Sequence, residues 1–417
     1  MQFMMNKCFL LLWLMPLMMI GQTNTITASP YSLYGIGVNT KSNIGRNSAL
    51  GGGGYAFQTI DQINNHNPAS FAAIPDNNFL YDFGLTAQLS SVSSKGNEEK
   101  RLAGNISNLA IAATTGARSG FGLTLEPYSD VGYALIGVES NIEGSYDTFI
   151  SNIFGSGGLN DLKLNYGYIL KDRLRVGVGL SYIFGTIKET QRIQSQYNSL
   201  EVEDKNKYSG LRMDVGLQGT ISDHLKFGFT ARLPTSLKVT HDRRISKMVS
   251  LIPKPQVVEN TTGEHLPNFD LPLELGGGIV YMPSSSWTIN LDYSRNFWNA
   301  TDQNDNIGTF IDQEIFGVGI EYAVDNQSIN YWKRIKFRIG GNHDSGYLEV
   351  YDYVINGYSI SGGIGIPLSR SSKSSINISY GRSEYGASQG VLVEETFNTF
   401  NVNISLVDIW FLKRKVN

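Results

Sequence analysis

Alternation with a period of two constrains this chain more than any other feature. In Phe79, Tyr81, Phe83, Leu85, Ala87 and Leu89 the apolar residues take every second position, and Leu80, Asp82, Gly84, Thr86, Gln88 and Ser90 fill the gaps, with Leu80 the one intrusion. Successive side chains of a strand point to opposite faces, so such a segment has one greasy face and one polar face. Leu211, Met213, Val215 and Leu217 alternate in the same way with Arg212, Asp214, Gly216 and Gln218. So do Val176, Val178, Leu180, Tyr182 and Phe184 with Gly177, Gly179 and Ser181, and Phe400, Val402, Ile404 and Leu406 with Asn401, Asn403 and Ser405.

Segments of this kind predict about fourteen strands, near 78–91, 104–115, 119–140, 161–171, 174–190, 207–221, 225–240, 272–282, 286–298, 311–325, 332–344, 356–367, 374–384 and 394–407. Short connections such as Gly116–Ser119, Lys171–Arg173, Ser222–His224 and Pro283–Ser285 alternate with long polar ones, Asn141–Asn160, Gln191–Asn206 and His241–Phe269. That rhythm is the one expected of the turns and outer loops of a transmembrane antiparallel β-barrel, and an even strand count follows if both termini lie on the turn side. A soluble β-sandwich would share the alternation. The rhythm, the aromatic load of 22 Tyr and 20 Phe in 417 residues and an export signal favour the barrel. Its mean hydropathy of -0.17 is no objection, because a barrel hides one apolar face in a modest average.

The alternation also assigns faces. Glu126, Lys163, Arg212, Asp214, Lys226, Arg232, Glu274, Asp292, Glu321, Lys336 and Arg338 fall opposite the apolar positions and are expected in the lumen, since a charge on the lipid face is costly. They are read as structural lumen pairs more readily than as a transport site.

At the N-terminus, Lys7 precedes an apolar run from Phe9 to Ile20 that ends at Gly21, which predicts a signal peptide over 1–21. Cys8, the only cysteine, lies within it, so the mature chain is expected to have no disulfide and no thiol chemistry. Residues 22–77 are too irregular for strands and carry Gly51, Gly52, Gly53 and Gly54 followed by Asn67-Pro68-Ala69. Such a segment can fold into the lumen as a hatch or plug, leaving 78–417 as the barrel. A phosphate loop is disfavoured because no Lys-Ser/Thr pair follows Gly54.

Gly45 to Gly54, Asn67-Pro68-Ala69, Pro272-Leu273-Glu274-Leu275-Gly276-Gly277-Gly278 leading to Trp298, and the terminal Trp410 to Lys415 together resemble the FadL/TodX-like family of outer-membrane transporters for hydrophobic compounds, in its Bacteroidetes form. The resemblance implies a fourteen-stranded barrel in the outer membrane of a Gram-negative bacterium, a hatch that closes the lumen, and passive uptake of compounds such as long-chain fatty acids. Capture at the outside is then followed by sideways release beside an inward kink of the third strand. Here Glu126-Pro127-Tyr128 interrupts that strand, and Pro lacks the ladder donor, so it belongs at a bulge or an edge. Phe149, Ile150, Ile153 and Phe154 in one long loop, and Leu251 and Ile252 in another, are the apolar candidates for holding ligand, with loop packing the competing reading.

Partners implied are outer-membrane lipids and a hydrophobic small molecule. Related barrels serve type IX secretion, so a protein-binding component of that system is the alternative. A polar porin fits the charged lumen but not the plug. His66, His224, His241, His265 and His343 are scattered, no metal spacing or nucleophile–base pair is recognisable, and a net charge of -3 argues against nucleic acid. The chain therefore reads as a non-enzyme without a cofactor.

Overall fold

The structure is a computed structural model and describes residues 29–40, 44–94, 97–141, 148–194, 198–249, 254–303, 308–325, 328–370, 373–386 and 392–409. The expected signal peptide, Leu251, Ile252 and the terminal Trp410 to Lys415 lie outside the described residues.

Fourteen antiparallel strands form the wall: β1 (Asn78–Ser94), β2 (Asn97–Gly116), β3 (Ser119–Asn141), β4 (Thr148–Lys171), β5 (Leu174–Gln194) and β6 (Asn198–Ser222). Next come β7, in two parts (Leu225–Arg232 and Thr235–Val249), and β8, also in two (Gln256–Leu271 and Glu274–Ser284). The wall is completed by β9 (Trp287–Asn296), β10 (Gln313–Ala323), β11 (Lys336–Asp344), β12 (Gly357–Pro367), β13 (Ser375–Gly386) and β14 (Glu394–Ile409). β14 pairs back onto β1 from Asn78 opposite Ile409 to Ser93 opposite Glu394, so the sheet closes into a barrel.

The faces are inverted relative to a soluble protein. On β6, Leu211 is 63% exposed and Met213 45%, while Arg212 between them is 1% exposed and Asp214 2%. Charges inside and large hydrophobics outside suit a wall solvated by lipid, and every wall charge expected in the lumen stands on the inward face that Arg212 and Asp214 mark.

Three long connections expected as loops are instead tall hairpins. β3 and β4 pair as far as Asn141 opposite Thr148, β5 and β6 as far as Gln194 opposite Ser199, and β7 and β8 as far as Lys247 opposite Gln256. Phe149, Ile150, Ile153 and Phe154 accordingly belong to β4, not to a loop. Across the mouth lies a small second sheet of Gly308–Phe310, Leu348–Val350 and Tyr353–Val354.

The described N-terminal residues run inside this wall as short 3-10 turns, Pro30–Leu33, Gly45–Ala49 and Pro68–Ala73. Asn67 caps the last of them by accepting from the Ala69 amide at 3.0 Å. Wall glycines make the close approach possible. A Cβ at Gly216 would stand 2.1 Å from Asn67 Oδ1, and one at Gly177 would stand 2.3 Å from the Ala69 nitrogen.

Candidate functional site

Proline breaks the regularity of the wall at two places, and the site lies between them. On β3, Pro127 sits opposite Asn160, and the register then slips so that Ser129 meets Leu159. The missing donor makes this bulge natural. The ladder from β2 to β3 ends just before it, at Leu109 opposite Leu125. Beyond that point β2 pairs only with β1, and the free edge of β3 takes Val38 and Asn39 of the N-terminal segment opposite Asp130 and Ser129. The Thr40 amide adds a bond to the Tyr128 carbonyl at 2.9 Å. A seam therefore opens between β2 and β3, and a crevice of about 10 Å³ touches Asn105 on one lip and Pro127 on the other. Leu102 and Ile136, one from each lip strand, are three-quarters exposed on the outside.

The second break crosses β7 and β8, where Leu233-Pro234 and Pro272-Leu273 interrupt neighbouring strands. Arg212 fills it. Its Nε donates to the Leu233 carbonyl at 2.9 Å and its Nη2 donates to the Pro272 carbonyl, while its Nη1 donates to Glu274 at 2.7 Å and Tyr128 Oη at 3.3 Å. One guanidinium thus replaces the ladder bonds that two prolines remove, with five donors in a planar fork suited to the task. Sequence periodicity placed Arg212 in the lumen but carried no sign of this role, which depends on carbonyls 21 and 60 residues away.

A tier of charge encircles the lumen at this level. Lys163 meets Asp214 at 2.6 Å and donates to the Asn65 carbonyl, and the Asn65 amide donates to Glu126 at 2.9 Å. Arg338 meets Glu321 at 2.6 Å, and Lys336 meets Asp61 at 3.2 Å. Burial opposes ionisation of Asp61, but Lys336 and Arg46 outweigh it and hold its carboxyl well below the usual range. The expected lumen charges are therefore fastened to the N-terminal segment as well as to each other.

The glycine run has a physical use here. Gly51 and Gly52 take left-handed φ of 73° and 71°, and the chain turns so that the Gly54 and Tyr55 amides both donate to Asp292 Oδ1 at 3.1 Å. An anion-binding turn is present, but its anion is a carboxylate of the wall. Asn67 spreads its amide over the carbonyls of Tyr55, Leu217 and Phe229, tying turn and wall together.

One or two residues further toward the mouth the lining becomes apolar. Leu159, Ile183, Leu237, Phe269 and Leu271 of the wall pack with Ile36, Trp298 and Phe310 into a buried cluster. Trp298 was read only as the end of a family motif and of an expected strand, and the cluster as such was not foreseen, because Trp298 and Phe310 lie in a connection and Ile36 in the irregular N-terminal stretch. Beside the charge tier lies a cavity of about 410 Å³, lined by Tyr55, Glu126, Pro127, Tyr128 and Asp161 among others. Of the expected site residues, Glu126, Pro127, Tyr128 and Gly51 to Gly53 meet at this cavity; Phe149, Ile150, Ile153 and Phe154 stand apart from it on the tall part of β4.

A family model described as BamG matches residues 4–417. No curated protein matches the chain. Among solved structures, the toluene transporter TbuX of Ralstonia pickettii superposes with a TM-score of 0.62 at 15% identity, covering 89% of this chain and 99% of its own. The toluene transporter TodX of Pseudomonas putida gives 0.61 at 15%, with 90% and 100% covered. A Pseudomonas aeruginosa FadL homologue gives 0.64 at 13%, with 89% and 98% covered. At such identities the likeness is one of fold, and that fold is the FadL/TodX type which the motifs led one to expect.

Proposed function

The chain belongs to the BamG family, and from that premise and the geometry of its lumen we propose that it is an outer-membrane channel for passive uptake of hydrophobic small molecules. The N-terminal segment acts as the hatch that blocks straight passage. Ligand is captured on the outer side, where Phe149, Ile150, Ile153 and Phe154 rise on the tall β3–β4 hairpin, and leaves sideways into the membrane between β2 and β3. Long-chain fatty acids and monoaromatic hydrocarbons are the ligand classes to test first, the latter because the fold is shared with toluene transporters.

One observation carries this reading: the ladder from β2 to β3 stops at Leu109 and Leu125, directly beside Pro127 and the cavity. In lipid every backbone group must find a partner, so a wall that leaves a seam needs a reason to keep it. Sideways release spares the ligand a passage through the charged tier, where burial of each methylene, worth about 0.8 kcal/mol, would be lost. The test is Pro127→Ala in cells that depend on this channel. Loss of uptake of labelled oleate or toluene, with the heat-modifiable mobility of a folded barrel retained, supports the route; unchanged uptake of both removes it.

A further inference from the structure

The cavity behind the seam is not the bare apolar hole that a pure hydrocarbon would require. Glu126, Asp161, Asp214 and Glu274 are among the carboxylates that line it, with Arg232 beside them and Lys163 and Arg212 behind. Lys163 is taken by Asp214, and Arg212 and Arg232 both by Glu274, at 2.6, 2.7 and 3.3 Å. Asp161 lies across the ladder from Glu126 and is 8% exposed. Its Oδ2 accepts from Ser181 at 3.1 Å, its Oδ1 is buried without a hydrogen-bond partner, and the residue lines the cavity. A buried carboxylate oxygen with no donor is costly, and groups left so are rare enough to require an explanation.

The surroundings narrow what could supply that donor. Among the described residues no His, Cys, Asp and Glu side chains converge as a metal-holding group, which disfavours a divalent ion. The rings of Tyr55 and Tyr128 line the same cavity, and aromatic faces attract organic cations. We propose that this corner binds the ammonium group of a protonated amine carrying an aromatic or aliphatic body, with Asp161 as its principal acceptor. The preferred cargo is then a hydrophobic amine, and a fatty-acid anion is disfavoured by the same carboxylates. Delivery of such an amine rests on the sideways-uptake reading; its binding does not.

The test uses three probes that share one body and differ in head charge: phenethylamine, phenethyl alcohol and phenylacetate, each titrated calorimetrically into the purified full-length barrel near neutral pH. The amine is expected to bind at least about tenfold more tightly than the alcohol, the size of one lost charge-assisted hydrogen bond, with phenylacetate weakest. Asp161→Asn should erase the amine's advantage and leave the alcohol unchanged. Equal binding of the three, or tighter binding of phenylacetate, overturns the proposal. If Asp161→Asn does not fold, Glu126→Gln takes its place, with a smaller loss of amine preference expected and no loss counting against the site. Preference for the amine in a barrel whose uptake ignores the seam would sink the release route and leave this site standing. Seam-dependent uptake without the preference would do the reverse.

Discussion

Two proline breaks in one wall have been finished in opposite ways. At β7 and β8, Pro234 and Pro272 leave the Leu233 and Pro272 carbonyls without ladder partners, and Arg212 donates to both. At β3, Pro127 is followed by a strand edge that β2 has abandoned, and the replacement comes from the N-terminal segment: Val38, Asn39 and the Thr40 amide, with Ser32 Oγ accepting from the Gly132 amide at 3.0 Å. The first break is sealed by a buried, fixed side chain from the wall itself. The second is covered by a segment that also crosses the lumen. A proline interruption is therefore not an opening in itself; on the proposed sideways route it becomes one where the substitute bonds come from the N-terminal segment and not from the wall.

The largest effect should come from opening the sealed break. Arg212→Met removes a buried guanidinium, leaves Glu274 to Arg232 alone and takes the donor from the Leu233 and Pro272 carbonyls, at a cost of about 3–5 kcal/mol. The urea midpoint of the detergent-solubilised barrel should fall accordingly, and a midpoint within error of the parent would mean that the carbonyls do not need the cap. Next, Gly216→Val places side-chain atoms where Asn67 Oδ1 now sits, costing about 1–3 kcal/mol and lifting the N-terminal segment off the wall. Ion conductance in planar bilayers should rise; an unaltered, closed barrel would show that this notch does not seat the segment.

Smaller effects belong to the cover. Asp61→Asn leaves Lys336 without its partner and should cost about 1 kcal/mol. Because the Asp61 carboxyl is held below its ordinary value near 4, its contribution is complete above about pH 4 and is lost only as pH falls through the lowered value. The difference in stability between parent and variant should thus persist at neutral pH and shrink in strong acid, which paired urea titrations would read. Smallest of all, Thr40→Pro deletes one bond to the β3 edge, worth about 1 kcal/mol or less. Its stability change should be slight while thiol probes placed on the seam react faster.

Much of the wall was legible from alternation alone, because each membrane-crossing segment must keep one face for lipid. The strand pattern fails where that demand ends. In the tall hairpins both faces are solvated, so Arg192 and Glu201, or Asp204 and Arg243, pair across strands with no apolar face to betray them. Residues 191–206 and 241–269 consequently read as polar loops. Pro127 could be marked as a break from its chemistry, but the parting of β2 from β3 could not, since it depends on where a ladder stops. The seating of Asn67 was likewise hidden, being set by Gly177 and Gly216 more than a hundred residues away.

The seam between β2 and β3 is tested most directly by blocking it. Asn105 lies on its β2 lip, and the mature chain is expected to offer no other thiol, so Asn105→Cys can be labelled alone with maleimides of increasing bulk. The measurement is initial uptake of a labelled hydrophobic probe by cells carrying this variant. Uptake that is normal before labelling, little changed by a small maleimide and abolished by a bulky one is the predicted result. Full uptake with the bulky label in place, on a barrel verified as labelled and folded, would contradict sideways release.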